Sequence, residues 1–187
     1  MLAAARALVA EGGFASTSIQ AVADRAGIAT GSVYRHFPSK AHLFVEVFAG
    51  ASSREVQTMG EAAQGHPKAR DALRAAVQTW ASRALEGRTL AYALIAEPVM
   101  PEVEAARLEF RRAYVRMLRD VLQRGCDSGE FSLPDVDVAA AAIVGALAEG
   151  LVGPLSPGDA SARDTREALV ANLTHFCLQA VTPSVPQ

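Results

Sequence analysis

Apolar residues recur at intervals of three and four along most of this chain, the period of a helix, and turn residues cut that pattern into segments. Residues 1–11 place Leu2, Ala5, Leu8 and Val9 on one face, and Gly12-Gly13 stops them. Thr17-Ser18-Ile19-Gln20 reads as a capping box, with Thr17 as N-cap and Gln20 at the third helical position. The helix it opens turns Ile19, Val22, Ala23 and Ala26 inward and ends at Gly27. A short helix follows over 30–36 and is closed by Pro38. Ser39 then caps a long helix with Leu43, Phe44, Val47 and Phe48 on one face, which is expected to run past Met59 to Gly65-His66-Pro67.

The pattern stays helical beyond that break. Residues 68–85 carry Leu73, Val77, Trp80, Ala81 and Ala84 at helical spacing, and 89–96 form a short apolar segment ending before Pro98. Residues 103–126 carry two stripes, Phe110, Tyr114, Met117 and Val121 on one and Val115, Leu118 and Leu122 on the other, so neighbours are expected on two sides. Residues 135–151 are apolar almost all round, which predicts burial on more than one face. A Gly, Pro and Ser linker over 153–161 leads to a last helix over 162–180, which presents Leu169, Leu173, Phe176, Cys177 and Ala180. The tail from Thr182, with two prolines, is expected to be loose.

Composition narrows the class. At 187 residues, 50% hydrophobic and 20% charged, the chain has the balance of a globular protein of one medium domain or two small ones. Alanine makes up roughly a fifth of it, and alanine is the best helix former. The expected class is therefore all-α, and a β-sandwich or barrel is excluded. The net charge of −2 carries no global nucleic-acid signature, so any DNA contact must come from a local patch. Cys126 and Cys177 cannot build a disulfide framework and read as small buried hydrophobes. No basic segment followed by an apolar core opens the chain, and the longest apolar run, 138–148, falls short of the ~18 residues that span a bilayer. These signs fit a soluble, cytoplasmic, reduced protein with no membrane partner.

The chemically informative stretch is 14–48. Two short helices joined by Gly27-Ile28-Ala29 have helix-turn-helix spacing, with Ala23 small at the crossing and Ile28 and Val33 facing a shared core. The second helix is too short to be stable alone, as suits a probe held by its neighbours. Thr30, Gly31, Ser32, Tyr34, Arg35 and His36 crowd it, and Lys40 opens the next helix. Tyr and His can donate to phosphate oxygens, and a lysine at a helix start adds a cation to backbone donors. Gly31 lets the helix approach a groove closely. Residues 1–50 hold 4 Lys/Arg against 3 Asp/Glu, whereas the remainder holds 14 against 17, a small bias of the right sign.

The run from Phe14 to Ala23, then Ala26-Gly27-Ile28, then Gly31-Ser32-Val33-Tyr34-Arg35-His36-Phe37-Pro38-Ser39-Lys40, resembles the DNA-binding domain of the TetR family of bacterial transcription regulators. That resemblance implies an N-terminal three-helix helix-turn-helix domain over 1–46. It also implies a helical regulatory, effector-binding and dimerisation domain over 47–187, with about nine helices in all. The implied partners are a double-stranded DNA operator, a second copy bound through the last two helices and a small-molecule effector. Carried over, Tyr34, His36 and Lys40 match phosphate contacts, Thr17 and Ser18 match phosphate contacts at the start of the preceding helix, and Thr30, Gly31 and Ser32 match base-reaching positions. Gln20 matches a position that can also reach a base, although closing the capping box on Thr17 would occupy it. Arg25 and Arg35 read as solvated or as long-range phosphate partners.

The sequence departs from the family pattern at three places. Met1 already lies inside the first helix, where family members usually begin earlier with a polar arm. Ala29 stands where a capping Ser is common, and His42 stands where an acidic residue usually closes the cap of the fourth helix.

In the C-terminal part Met59, Trp80, Tyr92, Met100, Phe110, Tyr114 and Met117 are candidates for an effector cavity, although at this spacing they also read as plain core. The shortage of buried charge there suits an apolar or aromatic effector. His66 and His175 have no partners at metal spacing, so neither a metal nor a cofactor is expected. The chain carries no Gly-x-Ser-x-Gly elbow, no His-Glu-x-x-His, no P-loop and no dinucleotide fingerprint, and an enzyme is not expected. The expected function is a ligand-responsive repressor. Its rivals are a dimeric DNA-binding regulator without a ligand and a helical protein–protein adaptor.

Overall fold

The computed structural model describes residues 1–157 and 166–182, and among these the regular structure is entirely helical. Nine helices follow in order: α1 (Leu2–Ser16), α2 (Ile19–Ala26), α3 (Thr30–His36), α4 (Lys40–Gln64), α5 (Ala69–Glu86), α6 (Arg88–Ile95), α7 (Pro101–Asp127), α8 (Val136–Leu155) and α9 (Arg166–Val181). Most ends lie within two residues of those that the turn signals predict. Part of the expected linker, the expected start of the last helix at 162–165 and the tail beyond Thr182 lie outside the described residues.

Three local readings are corrected. Gly13 does break α1, with φ +80, but the chain resumes a helical turn through Ser16. Helix α2 is capped by Ser18, not Thr17: the Ala21 N–H donates to the Ser18 hydroxyl at 3.0 Å. The expected linker residues 153–155 are helical, with Pro154 inside the last turn of α8 at the loss of one backbone hydrogen bond.

Packing groups the chain into two compact units that are discontinuous in sequence. Met1–Arg54 and Gly87–Phe110 form the first. Its core joins Val9, Phe14, Val22, Val33, Leu43, Phe44 and Phe48 to Ala93 of α6 and Val103 of α7. Phe14 packs on Phe44 with ring centroids 5.0 Å apart, and Phe48 on Phe110 at 5.9 Å.

Glu55–Glu86 and Arg111–Gln187 form the second unit. Here α5 packs along α9 and α8 around Leu73, Val77, Trp80, Leu122, Ile143 and Leu147. Gly125 lets the Phe131 ring lie against α7, since a Cβ there would sit 2.0 Å from that ring. The Glu130 carboxylate caps α5 from outside, accepting the Ala69 and Arg70 N–H groups at 3.0 and 3.1 Å. Burial pushes the Cys177 thiol up to about 11, as expected of an inert core cysteine.

Two surface features stand out in this unit. The exposed positions of α8 include Val138, Ala141, Ala142, Gly145 and Glu149, and on α9 the Phe176 side of the helix is exposed while Cys177 is buried. By length and composition alone α8 is also long and apolar enough to cross a membrane, because its helix reaches beyond the uninterrupted apolar run at both ends.

Candidate nucleic-acid interface

The first three helices are held by a corner that begins at Gly13. Past that glycine, the N–H groups of Phe14 and Ala15 both donate to the Glu97 carboxylate at 2.9 Å. Glu97 is itself buried, and its backbone carbonyl accepts from the buried Arg107 guanidinium at 2.7 Å. Arg107 also donates to the carbonyls of Leu94 and Ala93 at 3.0 and 3.2 Å, closing the end of α6. Thr17 belongs to this corner and not to the surface. It is buried, and its hydroxyl donates to the Gly13 carbonyl at 2.8 Å, so it offers nothing to a phosphate.

Helix α2 leaves this corner with Ser18 as its exposed cap and ends at Gly27, whose left-handed φ of +66 makes the turn. The Ile28 N–H returns to the Ala23 carbonyl at 3.1 Å, which fixes the direction in which α3 departs. No side chain caps α3, as the alanine at position 29 suggests. Its anchor is Val33, fully buried, while Gly31, Tyr34, Arg35 and His36 are exposed and Thr30 and Ser32 half-buried. Tyr34 is 52% exposed, which sets it outside the core.

Gln20 does not close a capping box. Its Nε2 donates to Asp24 at 2.7 Å and its Oε1 accepts from the Thr30 hydroxyl at 2.6 Å, so it ties α2 to the start of α3. Arg25 is paired through both terminal nitrogens with Glu11, at 2.8 and 2.9 Å. That hydrogen bonding raises the arginine's pKa and lowers the glutamate's. The pair lies at the surface and occupies both terminal nitrogens of Arg25. At the head of α4 the Ser39 hydroxyl accepts the His42 N–H at 3.3 Å and lies 2.8 Å from His42 Nδ1, so histidine takes part in the cap that an acidic residue usually completes. Lys40 lies over the Phe44 ring, its Nζ 5.1 Å from the centroid.

The exposed set is therefore Ser18, Gln20, Gly31, Tyr34, Arg35 and His36, with Thr30, Ser32 and Lys40 partly covered. Sequence reasoning missed Glu97, whose bonds cross more than 80 residues, and Arg107, whose bonds go to backbone carbonyls 10–14 residues away and to Glu104. The effector candidates divide between the units: Tyr92, Met100 and Phe110 lie in the first, and Met59, Trp80, Tyr114 and Met117 in the second. Within the second, Trp80 and Tyr114 stack with centroids 5.1 Å apart, and Met59 is fully buried.

The geometry of a helix-turn-helix with an exposed probe helix is matched by sequence. The family model "Bacterial regulatory proteins, tetR family" matches residues 1–47, and the model "Tetracyclin repressor-like, C-terminal domain" matches residues 66–149. The chain belongs to the TetR family, a family of transcription regulators and not of enzymes.

The HTH-type transcriptional repressor KstR of Mycobacterium tuberculosis is 44% identical over 54 residues, 29% of this chain and 24% of that protein. The match therefore spans about a quarter of that relative's length. The fatty acid metabolism regulator protein of Bacillus subtilis is 25% identical over 149 residues, 78% of this chain and 77% of that one. Among solved structures, the transcriptional regulator FadR from Bacillus subtilis in complex with stearoyl-CoA superposes with a TM-score of 0.76 at 23% identity, covering 99% of this chain and 97% of that chain. That likeness is one of fold.

Proposed function

We propose that this chain is a cytoplasmic, sequence-specific repressor that binds operator DNA as a homodimer and is released by a small apolar or aromatic molecule. The observation that carries the DNA-binding part is the exposure of α3, which buries Val33 and turns Gly31, Tyr34, Arg35 and His36 outward. A probe helix of this kind enters the major groove while neighbouring donors hold the backbone. Lys40, Tyr34, His36 and Ser18 are the phosphate contacts in this reading, and Thr30, Gly31, Ser32 and Gln20 face the bases.

The dimer reading rests on the second unit. Val138 is 64% exposed and Phe176 57% exposed on the last two helices, and the small residues Ala142 and Gly145 allow close helix approach. An isologous four-helix contact would cover these faces, and it accounts for an apolar α8 without a bilayer.

The effector reading is supported by the apolar cluster to which Met59, Trp80, Tyr114 and Met117 belong and by the relatives' names, a fatty acid metabolism regulator and a regulator crystallised with stearoyl-CoA. A long-chain acyl effector falls within the apolar class. Release then requires that the effector bind the DNA-incompetent arrangement better, by ~1–3 kcal/mol. The test is selection of bound sites from a random DNA pool, followed by displacement from the selected site with stearoyl-CoA and with simple phenols. A near-palindromic site with half-sites about one helical turn apart, released by one of these, supports the reading. Absence of a selected site overturns it.

A further inference from the structure

Gln20 is oriented before any DNA arrives. A carboxylate accepts hydrogen bonds and cannot donate, so the Gln20 atom 2.7 Å from Asp24 Oδ1 must be Nε2. The amide oxygen then faces Thr30, whose hydroxyl donates to it at 2.6 Å. Asp24 stands one turn along α2 from Gln20, and Thr30 opens α3, so the amide is fixed from both helices of the motif. Each contact takes one of the two bonds its atom can make. One Nε2 hydrogen and one Oε1 lone pair are left, a donor and an acceptor on a single planar group at the exposed side of α2.

We infer that Gln20 is the adenine-reading residue of the interface and that Asp24 is the positioning residue that sets its amide. An adjacent donor and acceptor complement adenine in the major groove, where N7 accepts and the N6 amino group donates. Guanine presents two acceptors there and lacks the match. The bonds to Asp24 and Thr30 both favour this orientation of the amide over the exchanged one, and part of the ordering cost of the contact is met within the free protein. This inference rests on the DNA-binding reading above.

The test uses the full chain and the site it selects from a random pool. Gln20→Ala is expected to lose preference at one position of each half-site, and the base lost there is adenine, with discrimination falling about tenfold or more. Asp24→Ala is expected to lose preference at that same position. It should keep the wild-type thermal midpoint and salt slope, which a general loss of structure would not leave intact. Asp24→Asn, whose amide oxygen can still accept from Nε2, is expected to restore the preference. If Gln20→Ala removes preference for a base other than adenine, or if Asp24→Ala leaves the position unchanged, the inference is overturned while the DNA-binding reading stands. If no site is selected at all, both fall together.

Discussion

Gly13 and Glu97 share a space that only one of them can fill with a side chain: a Cβ on Gly13 would lie 2.8 Å from each oxygen of the Glu97 carboxylate. The glycine also sits at φ +80 and ψ 179, a conformation all but closed to other residues. The carboxylate in turn supplies the acceptors for the Phe14 and Ala15 N–H groups, the first of them buried. Gly13→Ala is expected to destabilise the protein by about 1–3 kcal/mol through backbone strain alone. Glu97→Ala is expected to cost a similar amount by leaving a buried donor unpaired. The double variant should cost less than the two together, because the clash disappears with the carboxylate. Denaturant unfolding of the four proteins checks this, and strict additivity would show that the two side chains do not meet.

Gly31 separates the needs of the fold from those of the interface. A Cβ there meets no protein atom within 4 Å, and its φ is not in the left-handed region. The protein itself therefore has no use for glycine at this helical position. Gly31→Ala is expected to raise stability by about 0.5 kcal/mol, at the low end of the helix-interior gain because Gly31 lies in the first turn of α3. It is expected to weaken binding to the selected operator at the same time, because the added methyl stands between α3 and the groove. Thermal unfolding and a binding titration on one preparation test both halves. Gain of stability with unchanged affinity would place Gly31 away from the DNA.

The probe segment was readable because its information is local. Gly27, Val33 and Pro38 define the turn, the anchor and the stop of a seven-residue helix without reference to anything distant. The sequence pattern sets the cap of α2 one residue early, since Thr17 and Ser18 are both good capping types and only the Gly13 carbonyl, which takes the Thr17 hydroxyl, decides between them. Glu97 and Arg107 left no periodic or spacing signal, because a carboxylate bound to an N–H 83 residues away looks like any loop glutamate. The last helix presents both Phe176 and Cys177 in its apolar set, and the structure buries the cysteine and exposes the phenylalanine. On a helix apolar on several sides, hydrophobicity alone cannot tell the core from a face left for a partner.

Phe176 and Gly145 lie on the exposed sides of α9 and α8. Phe176→Asp and Gly145→Asp are expected to shift the protein from dimer to monomer while leaving its helical content intact. Leu147→Asp, at a fully buried position, is expected to unfold it. Sedimentation at micromolar concentration, together with circular dichroism, separates these outcomes. A wild-type monomer, or a Phe176→Asp dimer as tight as wild type, would remove the last two helices from the assembly.

Glu130 predicts how the second unit responds to acid. The Arg70 and Ala69 backbone N–H groups hold its carboxylate below the ordinary value, with smaller help from the Ser128 hydroxyl and the Lys68 charge. A carboxylate depressed in the folded state binds protons more weakly there than in the unfolded chain. Its stabilising contribution is therefore complete above the unfolded pKa, near 4.5, and is lost as pH falls through the folded value. Glu130→Gln is thus expected to lower the melting midpoint at pH 7, where the native carboxylate is charged. The gap between the two proteins should narrow as pH drops below about 4.5 and close once the wild-type group is protonated. Melting curves of both proteins from pH 7 to pH 3 provide the check. A gap that stays constant over that range would mean that the cap on α5 owes nothing to the charge of Glu130.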